Sequence, residues 1–132
     1  MVVDTSAIIE ALIAGPEAGT IAAQLENATT PRVTLPTVIY EATVVLASKR
    51  SIAVADSEQI VRDFLSDFDI SIVPITDRIA SIAIDAFARY GKGRHPAKLN
   101  FGDCFSYAGA KTNDLPLLYV GNDFSLTDLA RD

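Results

Sequence analysis

Four short apolar runs limit the folds open to this chain: Val2-Val3, Val33-Thr34-Leu35, Ile70-Ser71-Ile72-Val73 and Leu117-Leu118-Tyr119-Val120. Each reads as a strand, and pairs of helix-patterned stretches separate them. Strands that are short, continuous and apolar predict an α/β domain, its parallel strands covered on both faces by helices. At 132 residues the chain predicts one domain spanning 1–132.

The intervening helices follow from spacing and breakers. After Val2-Val3-Asp4, Thr5 or Ser6 is expected to cap a helix carrying Ala7, Ile8, Ala11 and Leu12, which Gly15-Pro16 ends. A second begins near Glu17, with Ile21, Ala22 and Leu25 on one face. Pro36 or Thr37 opens a third, ending near Lys49-Arg50, with Glu41 among apolar neighbours. Asp56 or Ser57 is expected to cap a fourth, whose stripe is Ile60, Val61, Phe64, Leu65 and Phe68. Thr76 or Asp77 caps a fifth, with Ile79, Ile82, Ala83, Ala86, Phe87 and Tyr90 buried, and Gly91 ends it. A short final helix is expected from Ser125 to Ala130.

The segment Leu99–Ala108 carries the chemistry. It predicts the opening of a buried helix, with Phe101, Phe105, Ala108 and Gly109 at helical spacing and Asp103 in the first turn. A carboxylate inside a largely apolar helix must be paired, solvated or bound to a cation. The basic loop Gly91-Lys92-Gly93-Arg94-His95-Pro96-Ala97-Lys98 precedes it.

Open parallel sheets bind ligands beyond the carboxyl ends of their strands. Asp4 and Asp123 follow the first and last strands, Glu41 lies in the first turns of the helix after the second, and Asp103 begins the helix before the last. Right-handed crossovers bring these four acids toward one edge. Each has a plainer explanation. Asp4 and Glu41 can answer helix dipoles, Asn100 and Asp103 have capping-box spacing, and Asp123 can be an N-cap. Clustered carboxylates repel unless a counter-ion joins them, and a hard divalent cation such as Mg²⁺ resolves this with oxygen ligands.

Other chemistries fit poorly. There is no cysteine–histidine cluster for zinc, no Gly-rich phosphate loop and no second acid two residues after Asp4. A receiver domain would need an acidic pair near the first strand and a lysine after the last. The single cysteine, Cys104, reads as a small buried hydrophobe and fits a reducing compartment. The net charge of −6 argues against loose binding to nucleic acid through the whole surface. No run is long enough to span a membrane, and Met1-Val2-Val3-Asp4 lacks a signal peptide's basic start, so a cytoplasmic location is expected.

Taken in order, Val-Val-Asp4-Thr-Ser-Ala, Tyr40-Glu41, Asn100-Phe-Gly-Asp103-Cys-Phe-Ser-Tyr-Ala and Gly121-Asn-Asp123-Phe resemble PIN-domain ribonucleases, above all the VapC toxins of type II toxin–antitoxin modules. The similarity covers nearly the whole chain. It implies a three-layer α/β/α domain around a central, mainly parallel sheet of four or five strands. It also implies Mg²⁺- or Mn²⁺-dependent cleavage of RNA, with Asp4 and Asp103 as principal metal ligands. Glu41 and Asp123 would complete the acidic pocket, through water or by orienting the nucleophile. Thr5 or Ser6 would hydrogen-bond a ligand carboxylate. Members typically form homodimers and are inhibited by a VapB antitoxin. They often continue into a further edge strand, whereas this chain stops at Arg131-Asp132.

The mechanism this implies is hydrolysis, in which a metal-activated water attacks the phosphodiester in line. Lys92, Arg94 and Lys98, with His95, would position the RNA backbone, or they are simply a solvated loop. Two alternatives stand beside it: a noncatalytic PIN-fold module that binds RNA or protein, and a PIN nuclease of RNA maturation outside any toxin module.

Overall fold

The structure, a computed structural model, describes residues 1–129. The chain order is β1 (Val2–Val3), α1 (Thr5–Leu12), α2 (Ala18–Glu26), β2 (Val33–Thr34), α3 (Pro36–Arg50), α4 (Val54–Asp67), β3 (Ser71–Ile72), α5 (Asp77–Tyr90), α6 (Phe101–Asn113) and β4 (Leu117–Leu118). A 3₁₀ turn, Asp123–Leu126, follows. The four strands form one parallel sheet in the order β3-β2-β1-β4.

Alternation along the strands divides the core in two. Val2 and Leu117 face one way, with Ile79, Ala83, Leu99, Tyr107 and Phe124. Val3 and Leu118 face the other way, with Ile8, Ile21, Leu25, Leu46, Val61 and Phe64. Helices α5 and α6 thus cover one face and α1 to α4 the other, which makes the three expected layers.

Several local expectations change. Asp4, and neither Thr5 nor Ser6, caps α1. Helix α4 starts at Val54, ahead of Asp56 and Ser57. Ser57 is fully buried because α4 packs on α3, where its hydroxyl donates to the Thr43 carbonyl at 2.7 Å. β3 holds the sheet edge, so Ser71 and Ile72 are exposed where a doubly covered strand was expected. The final helix is the 3₁₀ turn, set earlier than Ser125, and Ala130 lies outside the described residues.

The face that α6 buries also differs. Phe101 is 74% exposed, Phe105 is half-buried, and their rings lie 4.9 Å apart. Gly102, Cys104, Ser106, Tyr107 and Ala108 to Ala110 are buried instead. Small residues let α6 sit close to its neighbours: a Cβ on Gly109 would stand 2.6 Å from Leu35 Cδ1. Phe87 of α5 is also exposed.

Leu35 is fully buried, so it has nowhere to retreat. Gly109→Ala is therefore expected to cost about 1–3 kcal/mol of unfolding free energy through overpacking, read from the urea midpoint. An unchanged midpoint would show that α6 moves off Leu35 freely.

Candidate metal centre

Asp4 leaves β1 at the carboxyl edge of the sheet and is 3% exposed. Its Oδ2 accepts from the Ser6 amide at 3.0 Å and the Ser6 hydroxyl at 2.6 Å. Its Oδ1 accepts from the Ser106 hydroxyl at 2.6 Å. Ser6 Oγ in turn accepts from the Val120 amide at 3.0 Å. A buried carboxylate needs such donors, and here all of them are neutral. The support expected of Thr5 or Ser6 comes from Ser6. Thr5 Oγ1 is buried with no hydrogen-bond partner.

Asp103 occupies the third position of α6. Its Oδ2 accepts from the Asn100 amide at 3.1 Å, while Asn100 Oδ1 accepts from the Asp103 amide at 2.9 Å. The capping box is real and uses one Asp103 oxygen. The other makes no hydrogen bond among the described residues, so the cap does not compete with a ligand role. Burial pushes this carboxyl up to about 7; the Asn100 hydrogen bond opposes the shift, and Asp4, Asp123 and Glu41 add to it.

Asp4, Thr5, Ser6, Glu41, Asn100 and Asp103 line one pocket of about 330 Å³. Glu41 reaches it from the second turn of α3, its carboxylate lying against Gly102. Asp123 is outside the lining, on an exposed turn held by the buried Phe124, yet near enough to raise Asp103.

Among the described residues, no three acid, histidine or cysteine side chains close on one point as a ready-made cage. The oxygen donors of Asp4, Glu41 and Asp103 in the one lining suit a hard divalent cation, which takes oxygen ligands and retains water. The unpartnered Thr5 hydroxyl, in the same lining, is a further oxygen without a use in the protein alone.

The PIN domain family model matches residues 1–129. The chain is 44% identical to ribonuclease VapC36 of Mycobacterium tuberculosis, over 98% of its length and 91% of the relative's. It is 38% identical to a VapC ribonuclease of Rhizobium meliloti, over 96% and 97%. The chain is a PIN domain of the VapC family. Among solved structures, VapC20 of M. tuberculosis, titled a sarcin–ricin loop cleaving toxin, matches with a TM-score of 0.73 at 17% identity, over 94% of this chain and 92% of its own. A toxin–antitoxin complex from Klebsiella pneumoniae gives 0.71 at 23%, over 99% and 95%. At those identities the likeness is one of fold.

Two further groups line the acid pocket of this PIN domain. Lys49, in the last turn of α3, is the cationic one, and it makes no ion pair with the acids among the described residues. Glu10 is already engaged, accepting from the Glu17 amide at 3.1 Å. Of the residues missed in the sequence, Ser106 had a usable signal: it lies three residues beyond Asp103, on the same helical face.

The basic loop does not join the acids. Lys92, Arg94, His95 and Lys98 line a hollow of their own. The loop is ordered by a bridge between Gly91 and Leu99, and His95 Nδ1 accepts from the Ala97 amide at 3.0 Å. In a neutral His95 ring the proton therefore sits on Nε2. Cys104 is buried, and burial pushes its thiol up to about 11, which leaves it inert.

The raised Asp103 carboxyl sets a pH dependence. Between pH about 4 and about 7 the folded chain keeps a proton on Asp103 that the unfolded chain has released. Raising pH through that window without metal therefore works against folding. Asp103→Asn is expected to remove this component, so its melting temperature rises relative to the parent as pH goes from 4 to 7. A difference constant with pH would contradict it.

Proposed function

We propose that this chain is a divalent-metal-dependent endoribonuclease, the toxin of a type II toxin–antitoxin module, acting in the cytoplasm. The observation that supports this most is the shared pocket of Asp4, Glu41 and Asp103 in a chain with VapC ribonucleases as relatives. Asp4 and Asp103 would hold Mg²⁺ or Mn²⁺. When bound, such an ion acidifies water and offsets the charge of the phosphodiester.

The protein's own work is placement. Ser6 and Ser106 fix both oxygens of Asp4, so its position costs little at the moment of binding. Asp103 presents its unbonded oxygen from a capped helix start. Glu41 and Asp123 orient the attacking water, one of the two takes its proton as the new P–O bond forms, and the leaving oxygen takes a proton from solvent as its bond to phosphorus breaks. Thr5 offers its unpartnered hydroxyl to the same shell.

Asp103→Asn tests the reading, because the amide oxygen can still accept from Asn100 and keep the cap. RNA cleavage in Mg²⁺ or Mn²⁺ is expected to fall below about one part in a hundred, a loss of some 3 kcal/mol, with the fold intact by circular dichroism. Full activity would sink the mechanism. A parent that cleaves no RNA at stoichiometric protein would favour the noncatalytic module instead.

RNA is held, in this reading, by Lys92, Arg94 and Lys98, none of which has an ion-pair partner among the described residues. Phosphate contacts show as salt dependence. Each of these cations changed to Gln is expected to lower the slope of log affinity against log salt by about 0.7, measured by filter binding with the Asp103→Asn protein. An unchanged slope would return the loop to solvent.

The partners proposed are a VapB-type antitoxin and a second copy of the chain. Exposed apolar side chains at Tyr40, Ile84, Phe87 and Phe101 offer the surface that such partners cover. Sedimentation of the chain, alone and with a co-expressed antitoxin, reads both. An antitoxin that co-purifies also separates a toxin from a nuclease of RNA maturation.

A further inference from the structure

We propose that Gly102 is a positioning residue of the metal centre: its missing side chain is the seat on which the Glu41 carboxylate rests. The proposal depends on the metal-centre reading above. It adds a residue that has no charge and no side-chain donor.

Gly102 is buried in the first turn of α6, immediately before Asp103. A Cβ built on it would stand 2.6 Å from Glu41 Oε2, 2.8 Å from Oε1 and 2.9 Å from Cδ. Its three nearest neighbours thus belong to a single carboxylate, and contacts under 3.0 Å are essentially never shown by real Cβ atoms. Any side chain at position 102 displaces the Glu41 carboxylate from where it now lies.

Backbone conformation does not explain this glycine. Gly93 and Gly121 sit at φ of 84° and 95°, where other residues are strained. Gly102 is helical, and in a helix glycine is less stable than alanine. Gly109, on the same helix, makes room for the fully buried Leu35. Gly102 instead makes room for the end of a flexible acid. Adding a methyl group should therefore move the acid and leave the core alone. The seat also fixes Glu41 relative to Asp103, because both carboxylates are then referred to one turn of one helix.

The test is a double-mutant cycle on the full chain, with Mn²⁺ binding by titration calorimetry and RNA cleavage at saturating Mn²⁺ as readouts. Gly102→Ala is expected to weaken Mn²⁺ binding about tenfold, while its melting temperature without metal stays at or above the parent's. Glu41→Asp withdraws the carboxylate by one methylene and vacates the seat. In that background, Gly102→Ala is expected to change Mn²⁺ affinity by less than about twofold. Equal losses in both backgrounds, no loss in the first, or a melting temperature below the parent's would overturn the seat. A parent that takes up no Mn²⁺ overturns the metal centre itself. A parent that binds Mn²⁺, with an additive cycle, removes only the seat.

Discussion

The carboxyl edge of the sheet hangs on the buried Asp4 carboxylate. It caps α1 through Ser6, grips α6 through Ser106, and reaches the end of β4 through the Ser6 hydroxyl and the Val120 amide. The bond to Ser106 spans 102 residues of sequence. Hydrogen bonds to an ionised acceptor are about twice as strong as neutral ones. One anion thus aligns the first strand, the last strand and α6, and the pocket walls inherit their positions from it.

That arrangement sets folding against binding. Neutral hydroxyls satisfy Asp4 without cancelling its charge, and Asp4, Glu41 and Asp123 all lie within electrostatic reach of Asp103. The protein alone resolves the conflict by holding Asp103 partly protonated. In the proposed metal centre a divalent cation would resolve it differently, by supplying the missing charge. The free energy that the protein spends on crowding acids would then return on binding, as for any ligand that favours the folded state.

Much of the architecture was legible because hydrophobic periodicity reports which side is covered. Both halves of the core, most helix boundaries and the parallel sheet follow from it. The failures share a cause: periodicity says that a face is apolar, not what lies opposite. Ile72 sits on an edge strand, and Phe101 and Phe87 stay exposed although Phe105 and Arg94, respectively, lie against their rings. Ser57 looked like a cap because serine often is one. Its real partner, Thr43, belongs to another helix.

At the site the boundary of legibility runs between charge and space. Acids stand out in apolar surroundings, and of the four picked out by their order along the chain, Asp4, Glu41 and Asp103 share the pocket while Asp123 lies outside its lining. The groups that aim them are small and bland. Ser106 could have been found by its helical spacing from Asp103. Gly102 could not, because its contribution is a volume left empty opposite a residue far away in sequence. Gly109 looks the same in the sequence and serves Leu35 instead. Two glycines on one helix thus do different work, one for the core and one for the chemistry, and only the three-dimensional neighbour tells them apart.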